Sequence, residues 1–364
     1  YKSRKKMKNI TENHIRGAKN LLINCADLKP GEKLLIVSEE SDLGWYDGHC
    51  AEFIATEAKK MGIDQMLTKV GSPKNFRSTD LIELIEENTV TIFFSRIGDQ
   101  ERFSQPKAGT RIVMCYIRDM DMLSSPIGTT NYKAFRDFKK AVDNVLFNAE
   151  KIEISCPLGS NLSGALPKQQ KKASDNDDVR RFPLGVHEPI EAKTFSGQVA
   201  LDRYLAPTGS RVYEPNFLKL NETVIAEIEL GRITAFTGPK DEVKKVKEHY
   251  NLVANKFNID PTVVHSWHAG IHPGGNYKVP ESDDPDRWSN TVFSQPEYIH
   301  FHTCGDYAPG EISCTNHGHT IKVNGLALWN KGILFPNIFE VTKKCINTWP
   351  ELKALFNQTQ PKIS

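Results

Sequence analysis

The stretch LLINCADLKPGEKLLIVSEE (residues 21–40) decides how the first half of the chain folds. With the residues just before it, it places Ile15, Ala18, Leu21, Leu22 and Cys25 at helical spacing. Pro30-Gly31 then stops the helix. Lys33 to Ser38 is a short apolar run suited to a buried parallel strand. Working outward, residues 47–61 read as a helix with Cys50, Phe53, Ile54, Ala58 and Met61 on one face, ended by Gly62. Asp64 to Val70 reads as a strand, 78–87 as a helix, and 89–95 (TVTIFFS) and 110–117 as strands. A helix spans Tyr132 to Ala149, and KIEIS (151–155) is one more strand.

Strands alternating with amphipathic helices predict an α/β fold, a Rossmann-like N-terminal domain with a parallel sheet over residues 1–156. The turn after the first strand, SEESDLGW (38–45), has neither a GxGxxG nor a GxxxxGK[ST] pattern, and its acidic residues oppose a pyrophosphate. A bound dinucleotide is not expected. Residues 157–182 are polar and read as a linker or flap. Residues 183–364 form an α+β, β-rich second domain. In it QVALDRYL, RVYEPN, TVIAEIEL and RITAFTG are short β-prone runs. Gly231-Arg232 marks a tight reversal, and a helix over Pro239–Phe257 carries a stripe of Val243, Val246, Tyr250, Val253 and Phe257. Further strands run to about Glu340, with a short helix and a polar tail after them.

The 364 residues carry a net charge of +2, 39% hydrophobic and 25% charged residues, within the usual range of a soluble globular protein. That balance argues against a binder held mainly by nucleic-acid phosphates. No apolar run reaches the roughly 18 residues that span a bilayer. The opening YKSRKKMK reads as a solvated tail or trimmed leader. Seven scattered cysteines form no CxxC pair, so reduced thiols and a cytoplasmic setting are expected.

Seven of the eleven histidines fall between His265 and His319. His317 and His319 stand at i and i+2, which on one strand puts both imidazoles on one face about 7 Å apart at Cα. His300 and His302 repeat the spacing, and His265 is placed to add a third ligand from a neighbouring strand. Imidazoles suit Fe, Zn, Cu or Ni, and three ligands with an open position is a catalytic arrangement. His14 and His249 stand alone on helices and read as surface or core residues. Trp267 and Trp288 are candidates for stacking on a ring or for core packing. Asp306, Tyr307 and Glu311 lie in a loop able to orient a substrate.

Several stretches together resemble a known group. LLINCADLKPGEKLLIVSE, AGTRIVMCYIRDMDMLSS with KIEISCPLGSNLSG, TVIAEIELGRITAFTG, HSWHAGIHPGGNY and GEISCTNHGHTIKV are similar, in order and spacing, to segments of the aminopeptidase T superfamily. That superfamily includes the iron-dependent 2,5-dihydroxypyridine ring-opening dioxygenases, and the likeness runs from about residue 15 to 335. Length and a single histidine cluster favour the dioxygenase-like branch. The resemblance implies that His317 is a metal ligand and sets His319 where the family carries Asp. It puts the first ligand on His265, with His268 as the substitute, and aligns Glu188 in GVHEP with a family Gly-Gly-Glu near the substrate.

The resemblance and the histidine cluster together imply one divalent transition metal, Fe(II) before Zn(II), on His265, His317 and His319. Glu188, His300 and His302 are expected as acid–base or supporting groups. The reaction expected is ring opening of a small hydroxylated N-heteroaromatic compound. A zinc-type hydrolase is the first alternative and a metal- or ligand-binding protein without turnover the second. The superfamily's habits and edge strands in the second half suggest a homo-oligomer.

Overall fold

A computed structural model describes residues 10–166, 178–209, 212–307 and 310–359. These form two compact units. One contains the chain up to Phe135 and the segment ending at Leu184; the other begins at Arg136 and resumes at Gly185. The basic start YKSRKKMK lies outside the described residues.

The first unit is built on β1 (Lys33–Glu39), β2 (Asp64–Val70), β3 (Val90–Phe94) and β4 (Arg111–Cys115). After Lys33 every residue of β1 is buried, as is every residue of β3. Continuous apolar strands of this kind need cover on both faces, which parallel strands joined through helices provide. α1 (Glu12–Lys19) and α2 (His49–Lys60) supply one layer, packing Ala18, Phe53, Ile54 and Ala58 in one cluster with Leu34, Ile36 and Ile92. The opposite layer gathers Leu35, Val37, Phe93 and Ile112. α3 (Ile82–Glu87), α4 (Met120–Ser124) and α5 (Pro126–Thr129) are short.

α6 (Tyr132–Phe147) carries the chain into the second unit, where β5 (Ile152–Ser155) and β6 (Asn161–Gly164) pair with each other. The chain then returns to the first sheet as β7 (Val179–Phe182), parallel to β4, and completes five parallel strands in the order β2-β1-β3-β4-β7. Two expectations change here. KIEIS is not part of the parallel sheet, because its alternating burial suits a strand with one wetted face. The 157–182 stretch, expected as linker or flap, contributes a strand to each unit. Its middle, 167–177, lies outside the described residues.

The second unit continues with β8 (Ile190–Glu191), β9 (Ser196–Leu201), β10 (Tyr204–Pro207), β11 (Leu218–Lys219), β12 (Val224–Glu229) and β13 (Arg232–Thr237). After α7 (Lys240–Phe257) come β14 (Val264–Ala269), α8 (Pro285–Val292), β15 (Tyr298–Thr303) and β16 (Ile312–His317). β17 (Thr320–Val323), β18 (Leu326–Asn330) and β19 (Ile333–Leu334) complete the strands. These make two antiparallel sheets, β13-β12-β9-β6-β5-β17-β18-β19 and β11-β10-β16-β15-β14-β8. The expected short helix is α9 (Glu340–Thr348), and the stretch expected as a polar tail begins as a second helix, α10 (Pro350–Thr359). In α10, Leu352, Leu355 and Phe356 are buried, and Phe356 packs 4.9 Å from Phe138. Among the described residues no helix is long and apolar enough to cross a membrane.

Candidate metal centre

The six-stranded sheet sorts its side chains by alternation. Residues directly opposite in an antiparallel pair share a face. The pairs Ser266↔His302, His268↔His300, His300↔Thr315, His302↔Ser313 and Tyr298↔His317 therefore build one polar face from β14, β15 and β16. The opposite face carries Trp267, Phe301 and Cys314, all buried in the core. The polar face is buried too, since α8 lies over it. Ser289 Oγ sits 3.4 Å from Thr315 Oγ1, and the Trp288 ring meets Tyr298 edge-on at 5.2 Å. Phe293, just past the helix, reaches His268 at 6.4 Å.

His268, His300 and His302 form a tight group, with ring centroids 5.2 Å (268–300), 4.9 Å (268–302) and 6.4 Å (300–302) apart. His302 Nδ1 lies 3.3 Å from Thr208 Oγ1. Burial pushes His300 down to about 3, so the ring is neutral and keeps a lone pair. His319, wholly buried beside Trp329, is also pushed down to about 3, by burial first and then by its proximity to His187, His300 and His317. The Glu297 carbonyl lies near enough to favour a charged His319 ring but makes no hydrogen bond of ordinary geometry. Both His319 nitrogens, His300 Nε2 and His317 Nδ1 thus have no hydrogen-bond partner among the described residues.

Unpartnered ring nitrogens inside a protein are costly, on the order of 1–3 kcal/mol each, and neutral imidazoles are good ligands for Fe, Zn, Cu or Ni. The donor chemistry of His300, His317 and His319 therefore fits a divalent transition metal. As the side chains stand, no three His, Cys, Asp or Glu groups among the described residues close on one ion.

No family model matches the chain, and no curated protein matches it in sequence. Solved structures do. The 2,5-dihydroxypyridine dioxygenase from Pseudomonas putida KT2440 superposes with a TM-score of 0.63 at 12% identity, covering 92% of this chain and 100% of that one. Wild-type AmpT from Thermus thermophilus gives 0.52 at 12% identity, over 89% and 99% of the two chains. The chain has their fold. The fold implied by the sequence resemblance is thus the one adopted.

The individual candidates are placed unevenly. His265, beside Ser266 Oγ at 3.0 Å, has Glu191, Asp306 and Lys193 as charged neighbours and no histidine among them. It is not gathered with His317 and His319. His268, its substitute, is in the cluster. His317 and His319 do not share a strand: Gly318 at φ +64° turns the chain from β16 toward β17, in a different sheet. Glu188 Oε1 accepts from Lys139 Nζ at 2.6 Å, and Lys139 also holds Asp143 at 2.7 Å. His187 is a structural crosslink. Its Nε2 accepts from the Ala269 amide (2.9 Å), so its Nδ1 carries the proton and donates to the Glu188 carbonyl (2.7 Å). Glu311 is buried, while Asp306 is exposed. Trp267 belongs to the core face and Trp288 to the helix over the polar face. Sequence reasoning missed Thr208, Tyr298 and Lys139. Only Lys139–Asp143 had a local signal, its i,i+4 spacing on α6.

Proposed function

We propose that the chain is a metal-dependent enzyme that opens the ring of a small hydroxylated N-heteroaromatic compound with dioxygen. The observation that carries this reading is the set of buried, unpartnered nitrogens on His300, His317 and His319, in a fold shared nearly end to end with a 2,5-dihydroxypyridine dioxygenase. These three residues would hold the metal, with His300 in the place expected for His265. When bound, Fe(II) supplies Lewis acidity toward the ring hydroxyl and a point of entry for dioxygen.

The chain's own residues then have defined work. α8 and the polar face exclude bulk water, because Ser313, Thr315, His300 and His302 are all buried. His302, polarised by Thr208, and the adjacent His268 can hold or pass a proton at a ring nitrogen. Trp288 and Tyr298 form an aromatic wall beside His317. The zinc-hydrolase alternative needs an available general base. Glu188, the residue expected in that role, is bound to Lys139, which argues against it.

The test is elemental analysis of protein purified without oxygen, and then oxygen uptake with hydroxylated pyridines. Stoichiometric iron and oxygen consumption are expected, both lost in His317→Ala and His319→Ala. Zinc with no oxygen consumption, or unchanged metal content in both variants, overturns the reading.

A further inference from the structure

Residues 185–191 run along the outer edge of β14, and their pairing with it is interrupted once. Ser266 faces Glu191 and Trp267 faces Ile190, and pairing resumes with Val186 opposite Gly270. Residues 187–189 therefore face only His268 and Ala269, one residue more than the strand beside them, which makes a β-bulge. Pro189 lies in it and has no N–H to give to a ladder. The Ala269 amide takes a side chain as its acceptor instead, His187 Nε2 at 2.9 Å. The same ring donates from Nδ1 to the Glu188 carbonyl at 2.7 Å, and the Glu188 amide donates to Asp143 Oδ1 at 2.7 Å.

The bulge adjoins the candidate metal centre. His187 is wholly buried, its ring 5.3 Å from Trp267 and 5.8 Å from Trp329, and the Trp329 ring lies 6.4 Å from His319. Trp329 Nε1 donates to the Gly270 carbonyl at 3.0 Å. His187 and Trp329 thus hold Ala269 and Gly270, the two residues just past His268, which stands opposite His300 in β15. A bulge pinned by side chains fixes where the strand ends and how its last histidine is aimed.

We propose that His187 is a positioning residue of the metal centre: by bonding Ala269 it holds His268 and the neighbouring His300 at a fixed separation from His319, across Trp329. This role rests on the metal-enzyme reading above.

The test compares two variants with opposite losses, with Co(II) as the probe on the full chain. His187→Gln keeps an acceptor for the Ala269 amide and loses the ring. His187→Phe keeps a ring against Trp267 and Trp329 and loses the acceptor. Co(II) affinity is read by chelator competition and its coordination by visible absorption. His187→Gln is expected to match wild type in both. His187→Phe is expected to bind Co(II) at least about tenfold more weakly, with an altered spectrum. Should His187→Phe fail to fold, His187→Asn, too short to reach Ala269, carries the same expectation. The proposal is overturned if the variant without the acceptor matches wild type, or if it and His187→Gln lose affinity equally. Oxygen uptake is measured on iron-loaded samples of the same proteins. The expected Co(II) pattern without oxygen uptake would sink the ring-opening reading alone. Oxygen uptake with wild-type Co(II) binding in His187→Phe would sink only the role of His187, and wild type that binds no Co(II) would sink both.

Discussion

At the residue scale, the segment TNHGH shows how much meaning depends on partners. Asn316 drew no attention in the sequence, yet it is wholly buried on the apolar face of β16. Its Nδ2 donates to the Ala200 carbonyl at 2.9 Å and its Oδ1 accepts from Ser160 Oγ at 2.6 Å, tying the six-stranded sheet to the eight-stranded one. Asn316→Ala removes both bonds in a dry environment. The Ser160 hydroxyl proton is left without its acceptor, and the Ala200 carbonyl with only the weaker Cys314 thiol at 3.2 Å. Each bond lost costs roughly 1–3 kcal/mol. Denaturant unfolding should show a loss of about 2–4 kcal/mol; a change below about 0.5 kcal/mol would refute the tie. Lys139 is a second case. Its ammonium bridges Glu188 and Asp143, and all three side chains are at least partly buried. Lys139→Met should cost on the order of 3 kcal/mol, since two carboxylates lose their shared cation. Equal melting of variant and wild type would contradict that.

At the element scale, alternation carried most of the information. The runs over 34–38 and 90–94 became fully buried parallel strands because no charged residue interrupts them. KIEIS has a similar length but alternates, and it joined the antiparallel sheet instead. The expected reversal at Gly231-Arg232 is a hairpin whose turn residues are Leu230 and Gly231, at φ +46° and +72°. Two consecutive positive φ values favour Asn-Gly, and Leu230 is 62% exposed with no packing role. Leu230→Asn should raise stability by about 0.5–1 kcal/mol, read as a higher melting temperature; a lower one would show that Leu230 is held by something else. Gly231 has no such freedom, because a Cβ there would come 2.6 Å from Lys193 Cα.

At the scale of the whole molecule, the second unit buries several histidines in neutral form. Burial lowers His187 and His249 to about 4 and His272 to about 3, from an ordinary 6.5. The unfolded chain takes up protons at these sites below pH 6.5 while the folded chain does not. Stability is therefore fully present above that value and falls as the pH drops toward 4. Melting temperatures at roughly pH 7.5 and pH 5 should differ, with the lower value at pH 5. A flat or inverted profile would show that these rings are not buried as neutral groups.

The sequence alone determined the alternation of strands and helices in the first half, the β-rich texture of the second, and the concentration of histidines in it. These are local properties: hydrophobic period and composition survive without knowledge of any partner. Which histidines meet was decided only by tertiary structure. Strand register set His268 opposite His300, Gly318 turned His319 out of the strand that ends at His317, and Lys139, far away in sequence, took Glu188. A pairing register and a long-range ion pair depend on where distant segments pack, and no spacing within one segment encodes that.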